Sequence, residues 1–448
     1  MKIPVPHPLL SIFRTVAGFA FLRQERTYWQ INRPYSAVYD ALQDEGVYRE
    51  LVKAGLMLGF KESGLKQALT EEAYRVLLQR PLPFISYPYE WSFSQFQAAA
   101  RTILHVAAFA EENGLSLVDA SPFGVQFING TALWTNPLAF EIAGARGWRG
   151  YERFIGTVLA PLALSATLDV RMVNLLQIYP DGVPLEVVSG ILPTRTLTHI
   201  GLTTHLRVSA RATFDPVNIP PLTLIHDLLD IVNNLKTKVT PFPRSTQTTT
   251  YDNASAQLRE SIVKRWLTTL TPNVVWDVHA GDGSYARLAA SGGAQVLALS
   301  ANPDNAEALY RDVQLNNTVG VLPLWVDFSS PTPGTGWLNR ERLSIIGRSN
   351  ANLILLLDGL PRLALGAKIP LAMIAEWLAR LSEWAIVEYI PPTDPMALAV
   401  LTAGDALPDD YSEAGLQAAL LEYFTVEEAT KLPYNGRVMF VIQRKAAE

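Results

Sequence analysis

Apolar positions in the second half of the chain fall into short runs that alternate with longer segments of helical spacing. The runs are VVWDV (274–278), AQVLALS (294–300), VLPLWVD (321–327), ANLILLLD (351–358) and WAIVEYI (384–390). Short apolar runs separated by helices predict a mostly parallel sheet covered by helices on both faces. Two later runs, FTVEEATKL (424–432) and RVMFVIQRK (437–445), flank the turn sequence PYNG and predict a terminal antiparallel pair.

The first half of the chain has a mixed, mainly helical pattern. Residues 93–113 place apolar side chains at helical spacing, and Asn113-Gly114 marks the end of the predicted helix. The pieces GVQFI and TALW, joined by Asn129-Gly130, predict a β-hairpin. The apolar segment 154–168 is shorter than the ~18 residues that a membrane span requires, so it predicts a buried helix.

The position of the polar, Pro- and Thr-rich segments predicts the domain boundaries. A chain of 448 residues is too long for one compact core. The segment TPFPRSTQTTTYDN separates the two patterns described above. The sequence therefore predicts an α+β domain over residues 1–235, a linker over 236–253 and a Rossmann-like α/β domain over 254–448.

Composition narrows the classes of partner. A net charge of −5 and the absence of long Lys and Arg runs argue against a nucleic-acid partner. Hydrophobic residues make up 49% and charged residues 18%, which favours a homo-oligomer or a partner subunit. The chain has no Cys, and Arg14 interrupts the apolar N-terminal stretch, so we expect neither disulfides nor a secretory signal. These features predict a cytoplasmic protein outside the membrane.

The segment VVWDVHAGDGSYARLAA predicts a strand, a glycine loop and the start of a helix. Its first strand ends at Asp277, and ligands of parallel sheets bind beyond the carboxyl ends of the strands. Gly281 and Gly283 lack a Cβ, so the loop can turn sharply and approach a ligand closely. An ordinary strand-to-helix turn is the alternative explanation of the same residues.

The ends of the next two strands add polar side chains to the same edge. Ser300 ends the second predicted strand, and Asn302 then caps the following helix. Asp327 ends the third strand, where a carboxylate can accept a hydrogen bond from an adenine amino group. The ordered set of strand ends is more specific for a nucleotide-like cofactor than the glycine loop alone.

This ordered set resembles the cofactor site of class I S-adenosylmethionine-dependent methyltransferases. The resemblance extends to a bacterial family with a long N-terminal region that is grouped with nodulation proteins, through segments such as 83–95, 117–130 and 322–342. It implies transfer of a methyl group to an oxygen or nitrogen of a small molecule or glycan, with S-adenosylmethionine as cofactor and no metal. The residues it assigns to the cofactor are Asp277, Gly281, Gly283, Ser300, Asn302 and Asp327.

Two departures from the family pattern leave a second hypothesis open. The family usually has an acidic residue at position 300, which would hold both ribose hydroxyls, and a His-His pair where this chain has Pro361-Arg362. We therefore also consider a catalytically degenerate relative that acts as a binding or scaffold subunit.

Three residues are candidates for catalysis. His279 follows the first strand and is either a pocket-shaping ring or a proton acceptor. Asp358 ends the fourth strand and is either a proton acceptor or a turn residue. Glu388, together with Asp394, flanks the end of the fifth strand and is a candidate at the rim, with simple solvation as the alternative.

The passage LVDASPFGVQFINGTALWTNPLAFE resembles the catalytic loop and metal-binding hairpin of kinase-like phosphotransferases. Asp119 matches the catalytic Asp, but Gly124 and Asn136 stand where relatives have Asn and Asp. The resemblance implies that two oxygen ligands for Mg²⁺ are lost or weakened. It leaves a degenerate kinase-like domain and a plain substrate-recognition domain as alternatives, whereas an active phosphotransferase fits least well.

Overall fold

The computed structural model describes residues 15–23, 26–144, 147–211, 214–237, 252–401, 406–433 and 435–446. The chain forms two compact units: unit 1 comprises Met1–Thr240 and Pro333–Ser344, and unit 2 comprises Pro241–Thr332 and Ile345–Glu448. Most of the predicted linker, residues 238–251, lies outside the described residues. The segment Pro333–Ser344 follows a strand of unit 2 in sequence yet belongs to unit 1, which the sequence did not predict.

Unit 1 combines small antiparallel sheets with helices. Its strands are β1 Gly18–Arg23, β2 Arg26–Asn32, β3 Phe60–Ser63, β4 Ala73–Gln79, β5 Leu115–Leu117, β6 Val125–Ile128, β7 Thr131–Trp134 and β8 Phe140–Ile142. Its helices are α1 Ser36–Asp44, α2 Val47–Lys53, α3 Phe93–Glu112, α4 Tyr151–Phe154, α5 Ala160–Thr167, α6 Leu175–Ile178, α7 Leu185–Ile191, α8 Ile200–Leu202 and α9 Pro221–Asn234. The first sheet has the order β1-β2-β4-β3, and β5 pairs with β8 and β6 with β7.

Local sequence signals explain the central elements of unit 1. Ser92 and Gln95 form a reciprocal capping box at the start of α3, which confirms the helix predicted over 93–113. Asn129 and Gly130 have φ angles of 50° and 74°, as the two-residue turn between β6 and β7 requires. The segment 154–168 is a buried, mainly helical stretch, with a π-helical turn at Ile155–Leu159 before α5.

Unit 2 alternates strands and helices. Its strands are β9 Val274–Asp277, β10 Gln295–Ser300, β11 Val321–Trp325, β12 Leu353–Leu356, β13 Trp384–Tyr389, β14 Phe424–Lys431 and β15 Val438–Arg444. Its helices are α10 Asn253–Leu270, α11 Ser284–Ser291, α12 Pro303–Leu315, α13 Leu371–Leu381, α14 Pro395–Val400 and α15 Glu413–Tyr423.

These strands form one sheet with the order β11-β10-β9-β12-β13-β15-β14. The first five are parallel, and β15 runs antiparallel to both of its neighbours. The predicted parallel sheet with a terminal antiparallel pair is therefore present. After β9 the chain adds β10 and β11 on one side and then β12 on the other, so the strand order reverses at β9. Ligands of open parallel sheets bind at such a reversal.

One apolar cluster holds the sheet to its helices. Alternate residues of the strands, including Val275, Val296 and Leu353, share this cluster with Ile262 of α10 and Ala286 of α11. The neighbouring strand positions, which point to the opposite face, are buried as well. No helix in the described ranges is long and apolar enough to cross a membrane.

Candidate functional site

The loop after β9 is fixed by hydrogen bonds to strands on both sides. Val278 N donates to the Leu355 carbonyl at 3.0 Å, and Ala280 N donates to the Leu299 carbonyl at 3.0 Å. The loop therefore begins as an extension of the sheet, at the point where the strand order reverses. This placement is the one that the glycine loop predicted.

The two loop glycines have different physical roles. Gly281 has a φ of 52° in open surroundings, so it supplies only the left-handed backbone conformation. Gly283 has a φ of 80°, and a Cβ there would lie 2.4 Å from Leu309 Cδ2. Gly283 is thus required both for the turn and for the close packing of the loop on α12.

Asp277 presents a buried carboxylate with unused bonding capacity. The residue is 2% exposed, and its Oδ2 has no hydrogen-bond partner in the described part of the chain. Burial raises the pKa of Asp277 to about 7, although Arg259 acts in the opposite direction. A buried acceptor without a partner is costly and is commonly explained by function or by a missing ligand.

The end of β10 is engaged in its own turn. Ser300 is buried, its Oγ donates to the Asn302 carbonyl at 3.1 Å, and it accepts the Asn302 N–H at 3.1 Å. The Asn302 side chain accepts the Asp304 N–H at 2.8 Å and so caps α12, as predicted. The structure shows these turn and cap contacts, and the roles of Ser300 and Asn302 in holding ribose stay predictions.

Asp327 lies two residues beyond β11 and is partly exposed. Its Oδ1 accepts bonds from Ser329 N and Oγ at 2.9 and 2.7 Å, and Arg362 Nη2 lies 3.0 Å from Oδ2. Partial burial acts to raise the pKa of Asp327, but the bonds from Ser329 and Arg362 outweigh burial and lower it. Arg362, one of the two residues that stand in place of the family's His-His pair, therefore contacts Asp327, the residue predicted to bind adenine.

A buried ion network joins the ends of β12 and β13. Arg259 Nη2 lies 2.7 Å from Asp358 Oδ2 and 3.1 Å from Glu388 Oε2. Arg437 contacts the same two carboxylates at 3.5 Å and grips Asp394 with two bonds of 2.9 Å. Glu388 and Asp394 are 0% and 1% exposed, so the alternative of simple solvation at the rim is wrong for both.

Neither arginine was identified from the sequence. Arg259 lies on the buried face of α10, with Ser255 and Ile262 one turn to either side. A charged residue at a core-facing helical position was the available signal, because such a residue is rarely buried without a partner. Arg437 follows a turn directly and carried no comparable signal.

His279 is partly buried beside the loop that follows β12. A Cβ at Gly359 would lie 3.2 Å from His279 Cβ, so the glycine allows this close approach. Burial lowers the pKa of His279, which favours the neutral ring. A neutral imidazole at this edge of the sheet is able to accept a proton.

Unit 1 brings two of the three predicted kinase-like residues, Asp119 and Asn136, together at a cavity of ≈ 690 Å³. Asn136 Nδ2 donates to Asp119 Oδ2 at 3.3 Å, and both residues line the cavity. Gly124 lies apart from it, against the Trp134 ring, which a Cβ at position 124 would meet at 2.6 Å. An Asn side chain therefore does not fit at this position.

We expect ATP with Mg²⁺ to leave the melting temperature of the protein unchanged. Gly124 offers no oxygen ligand and Asn136 offers a neutral one, whereas Mg²⁺ in phosphotransferases is held by carboxylates and substrate phosphates. No metal-binding group of three or more His, Asp or Glu side chains occurs among the residues described. A thermal shift assay checks this, and a magnesium-dependent shift that Asp119→Ala abolishes would contradict it.

Comparison with known proteins identifies one relative along nearly the whole chain. The chain is 25% identical over 465 residues to Nodulation protein NoeA of Rhizobium meliloti (strain 1021), covering 98% of this chain and 97% of that protein. No protein-family model matches the chain.

Solved structures match the chain over less than half its length. Magnesium protoporphyrin IX methyltransferase from Synechocystis PCC 6803 with bound SAH covers 43% of this chain and 84% of its own, at 15% identity and a TM-score of 0.30. N-methyltransferase NodS from Bradyrhizobium japonicum WM9 covers 44% and 99%, at 8% identity and a TM-score of 0.30. Likeness this distant assigns no activity. Over nearly its whole length the chain is thus similar to a nodulation protein, as its sequence segments predicted, and unit 2 has the sheet that the resemblance to class I methyltransferases implied.

Proposed function

We propose that unit 2 binds S-adenosylmethionine at the carboxyl ends of β9, β10 and β11 and transfers its methyl group to an oxygen or nitrogen of a small molecule or glycan. The observation that carries this proposal is the Asp277 carboxylate, which is buried at the strand reversal with Oδ2 unpartnered. A bound ligand with a hydrogen-bond donor satisfies this oxygen, and no described side chain does.

The residues present fit such a cofactor. Asp277 accepts a donor of the cofactor, Gly281 and Gly283 let the loop approach it, and Asp327 accepts from the adenine amino group. Ser300 keeps one remaining acceptor position for a ribose hydroxyl, with Asn302 holding the turn beside it. When bound, S-adenosylmethionine supplies an activated methyl group. The role of the protein is then to orient the acceptor atom in line with the methyl group and its leaving sulfur, and to exclude water.

His279 is the proton acceptor that the geometry favours. Its lowered pKa keeps the ring neutral near pH 7, and it lies beside the glycine loop. Asp358 and Glu388 contact Arg259 and Arg437, so we assign them to positioning the strand ends instead of proton transfer.

The same ion network favours the second candidate function, a binding or scaffold subunit. If Asp358 only contributes ion pairs to this network, His279 is the one candidate proton acceptor left among the predicted catalytic residues. A subunit of this kind keeps the fold and the interaction surface while transferring no methyl group.

Calorimetric titration with S-adenosylmethionine and S-adenosylhomocysteine tests the proposal. We expect both to bind, since both contain the adenosine and amino-acid groups that the site residues contact. Absence of heat at millimolar ligand, confirmed by an unchanged melting temperature, overturns cofactor binding and supports the scaffold. Binding without transfer to any offered acceptor supports a degenerate enzyme.

Asp327→Ala should weaken binding of S-adenosylhomocysteine by about 1–3 kcal/mol, the cost of removing one partner of a partly buried polar contact. Arg362→Ala is the matched control, because it removes the competing partner of the same carboxylate and should leave affinity unchanged or raise it. Titration of both variants compares the two effects. Equal losses in both would show that the ion pair itself, and not a free Asp327 oxygen, supports the site.

A further inference from the structure

The cavity of unit 1 is lined by both polar and apolar residues. Val38, Val118 and Leu138 are among its aliphatic lining residues. A volume of ≈ 690 Å³ is within the range of small-molecule sites, which are typically apolar with a few convergent polar groups. The cavity lies within unit 1, so its occupant is a separate question from the function proposed for unit 2.

The polar lining residues form a chain of alternating hydrogen-bond acceptors and donors. Arg153 Nε donates to Asp119 Oδ1 at 3.3 Å, and its Nη1 donates to Asp181 Oδ1 at 3.0 Å and to the Asp181 carbonyl at 2.9 Å. Arg153 Nη2 takes part in none of these bonds. Asn136 holds the other Asp119 oxygen, so an amide, a carboxylate, a guanidinium and a second carboxylate follow one another along the wall.

This alternation selects among ligand chemistries. Carboxylates only accept hydrogen bonds and a guanidinium only donates them, whereas a hydroxyl group does both. An ammonium ligand only donates, so it leaves the Arg153 donors unmatched. An anionic ligand meets three lining carboxylates, Asp119, Glu141 and Asp181. Arg153 lines the cavity and Arg149 pairs with Glu141 from outside the lining, so the net charge around the cavity is negative and disfavours an anion.

We propose that this cavity is a binding site for an uncharged saccharide, whose adjacent hydroxyl groups pair with Asp119, Arg153 and Asp181 while its C–H groups pack on the aliphatic lining residues. The site discriminates against phosphorylated forms of the same sugar. It needs no metal ion, in agreement with the positions of Gly124 and Asn136.

Ligand-observed NMR with the full chain tests the proposal. The probes are neutral glucose, galactose, mannose, fucose, rhamnose and N-acetylglucosamine at about 10 mM, a concentration at which binding in the millimolar range is detectable. The phosphate ester of each sugar that binds, such as glucose 6-phosphate, is the matched anion, and adenosine is a neutral ligand that also carries adjacent hydroxyls. We expect saturation transfer to at least one neutral sugar and much less to its phosphate.

Variants locate the binding in the cavity. Asp119→Asn removes an ionised acceptor and should lower affinity for the bound sugar about ten-fold, the usual weight of a hydrogen bond to a charged group. Val38→Trp adds a large side chain to the cavity lining and should abolish binding while every polar lining residue keeps its identity. Asp44→Asn is the matched control, because Asp44 is exposed outside the cavity lining. Circular dichroism confirms that each variant is folded.

Four outcomes overturn the proposal. They are no transfer to any sugar of the panel, equal binding of a sugar and its phosphate, binding of adenosine at least as strong as that of every sugar, and sugar binding that survives both cavity substitutions in folded protein. Sugar binding that both cavity substitutions remove and Asp44→Asn retains supports the saccharide site.

Discussion

Asp277→Asn should raise the free energy of unfolding of the ligand-free protein by about 4 kcal/mol near pH 8. Burial raises the pKa of Asp277 from 3.8 to about 7, and each pKa unit corresponds to about 1.4 kcal/mol. Asparagine keeps the shape of the side chain and removes the charge. An unpartnered buried amide also costs free energy, but less than an unpartnered buried carboxylate.

The stabilisation expected from Asp277→Asn depends on pH, because the charge on Asp277 does. Between pH 4 and pH 7 the folded protein keeps a proton on Asp277 that the unfolded chain has lost, so the wild-type free energy of unfolding falls as the pH rises through this window. Above the folded pKa the full cost is present, and below about pH 4 it vanishes. Asp277→Asn should therefore match the wild type near pH 4 and exceed it most at pH 8.

The same substitution should weaken binding of S-adenosylhomocysteine, because asparagine offers an N–H where the ligand donor requires an acceptor. A gain in stability with a loss of affinity is the signature of a buried charge retained for function. Urea denaturation across pH, paired with calorimetry, measures both. Asp312→Asn, at a partly exposed ion pair with Arg287, is the control and should change stability by less than about 1 kcal/mol. If Asp277→Asn destabilises the protein at pH 8, Oδ2 has a partner in solution.

The sheet of unit 2 was predictable because its strands are buried on both faces. Such strands read as continuous apolar runs, which stand out against the amphipathic helices between them. The alternation predicts a parallel sheet but not the order of its strands. That order, with its reversal at β9, was not predicted and is seen in the structure.

Unit 1 was harder to predict because part of it comes from a distant segment. Pro333–Ser344 has no helical or alternating pattern, so the sequence did not predict that this segment belongs to unit 1. Within unit 1, Arg342 of this segment is 1% exposed and packs 4.0 Å from the Phe123 ring centroid. A cation over an aromatic ring is a tertiary contact that no local pattern records.

The sequence predicted where the candidate residues lie in the sheet, whereas their roles in a site stay predictions. Asp277, His279 and Asp327 were placed at the strand ends because parallel strands share one carboxyl edge. The role assigned to Asp358 lacked its partners, since Arg259 precedes it by 99 residues and Arg437 follows it by 79. Pairing across such separations is decided by packing and not by spacing in the sequence.

Arg437→Met should lower the free energy of unfolding by about 3–5 kcal/mol, the loss expected when one partner of a buried ion pair is removed. Arg437 is 1% exposed, and its bonds to Asp394 have no solvent to replace them. Methionine fills much of the volume but leaves Asp394 buried beside Glu388, which is itself 0% exposed. Arg259 still contacts Glu388, so the main cost falls on Asp394.

Lowering the pH should reduce the difference in free energy of unfolding between the wild type and Arg437→Met. Burial acts to raise the pKa of Asp394, but the bonds from Arg437, the Met396 N–H and Asn435 together outweigh burial and lower the pKa. The stabilisation from these contacts is therefore present above about pH 4 and is lost as the pH falls through the folded pKa. The variant carboxyl, without its partner, takes up a proton at higher pH, so the two proteins converge as the pH falls. Arg265→Met is the matched control, because Arg265 is exposed and pairs with Glu428 at the surface, where such pairs contribute about 0–1 kcal/mol. Equal losses for the two substitutions at pH 7 would mean that the Arg437 network is open to water.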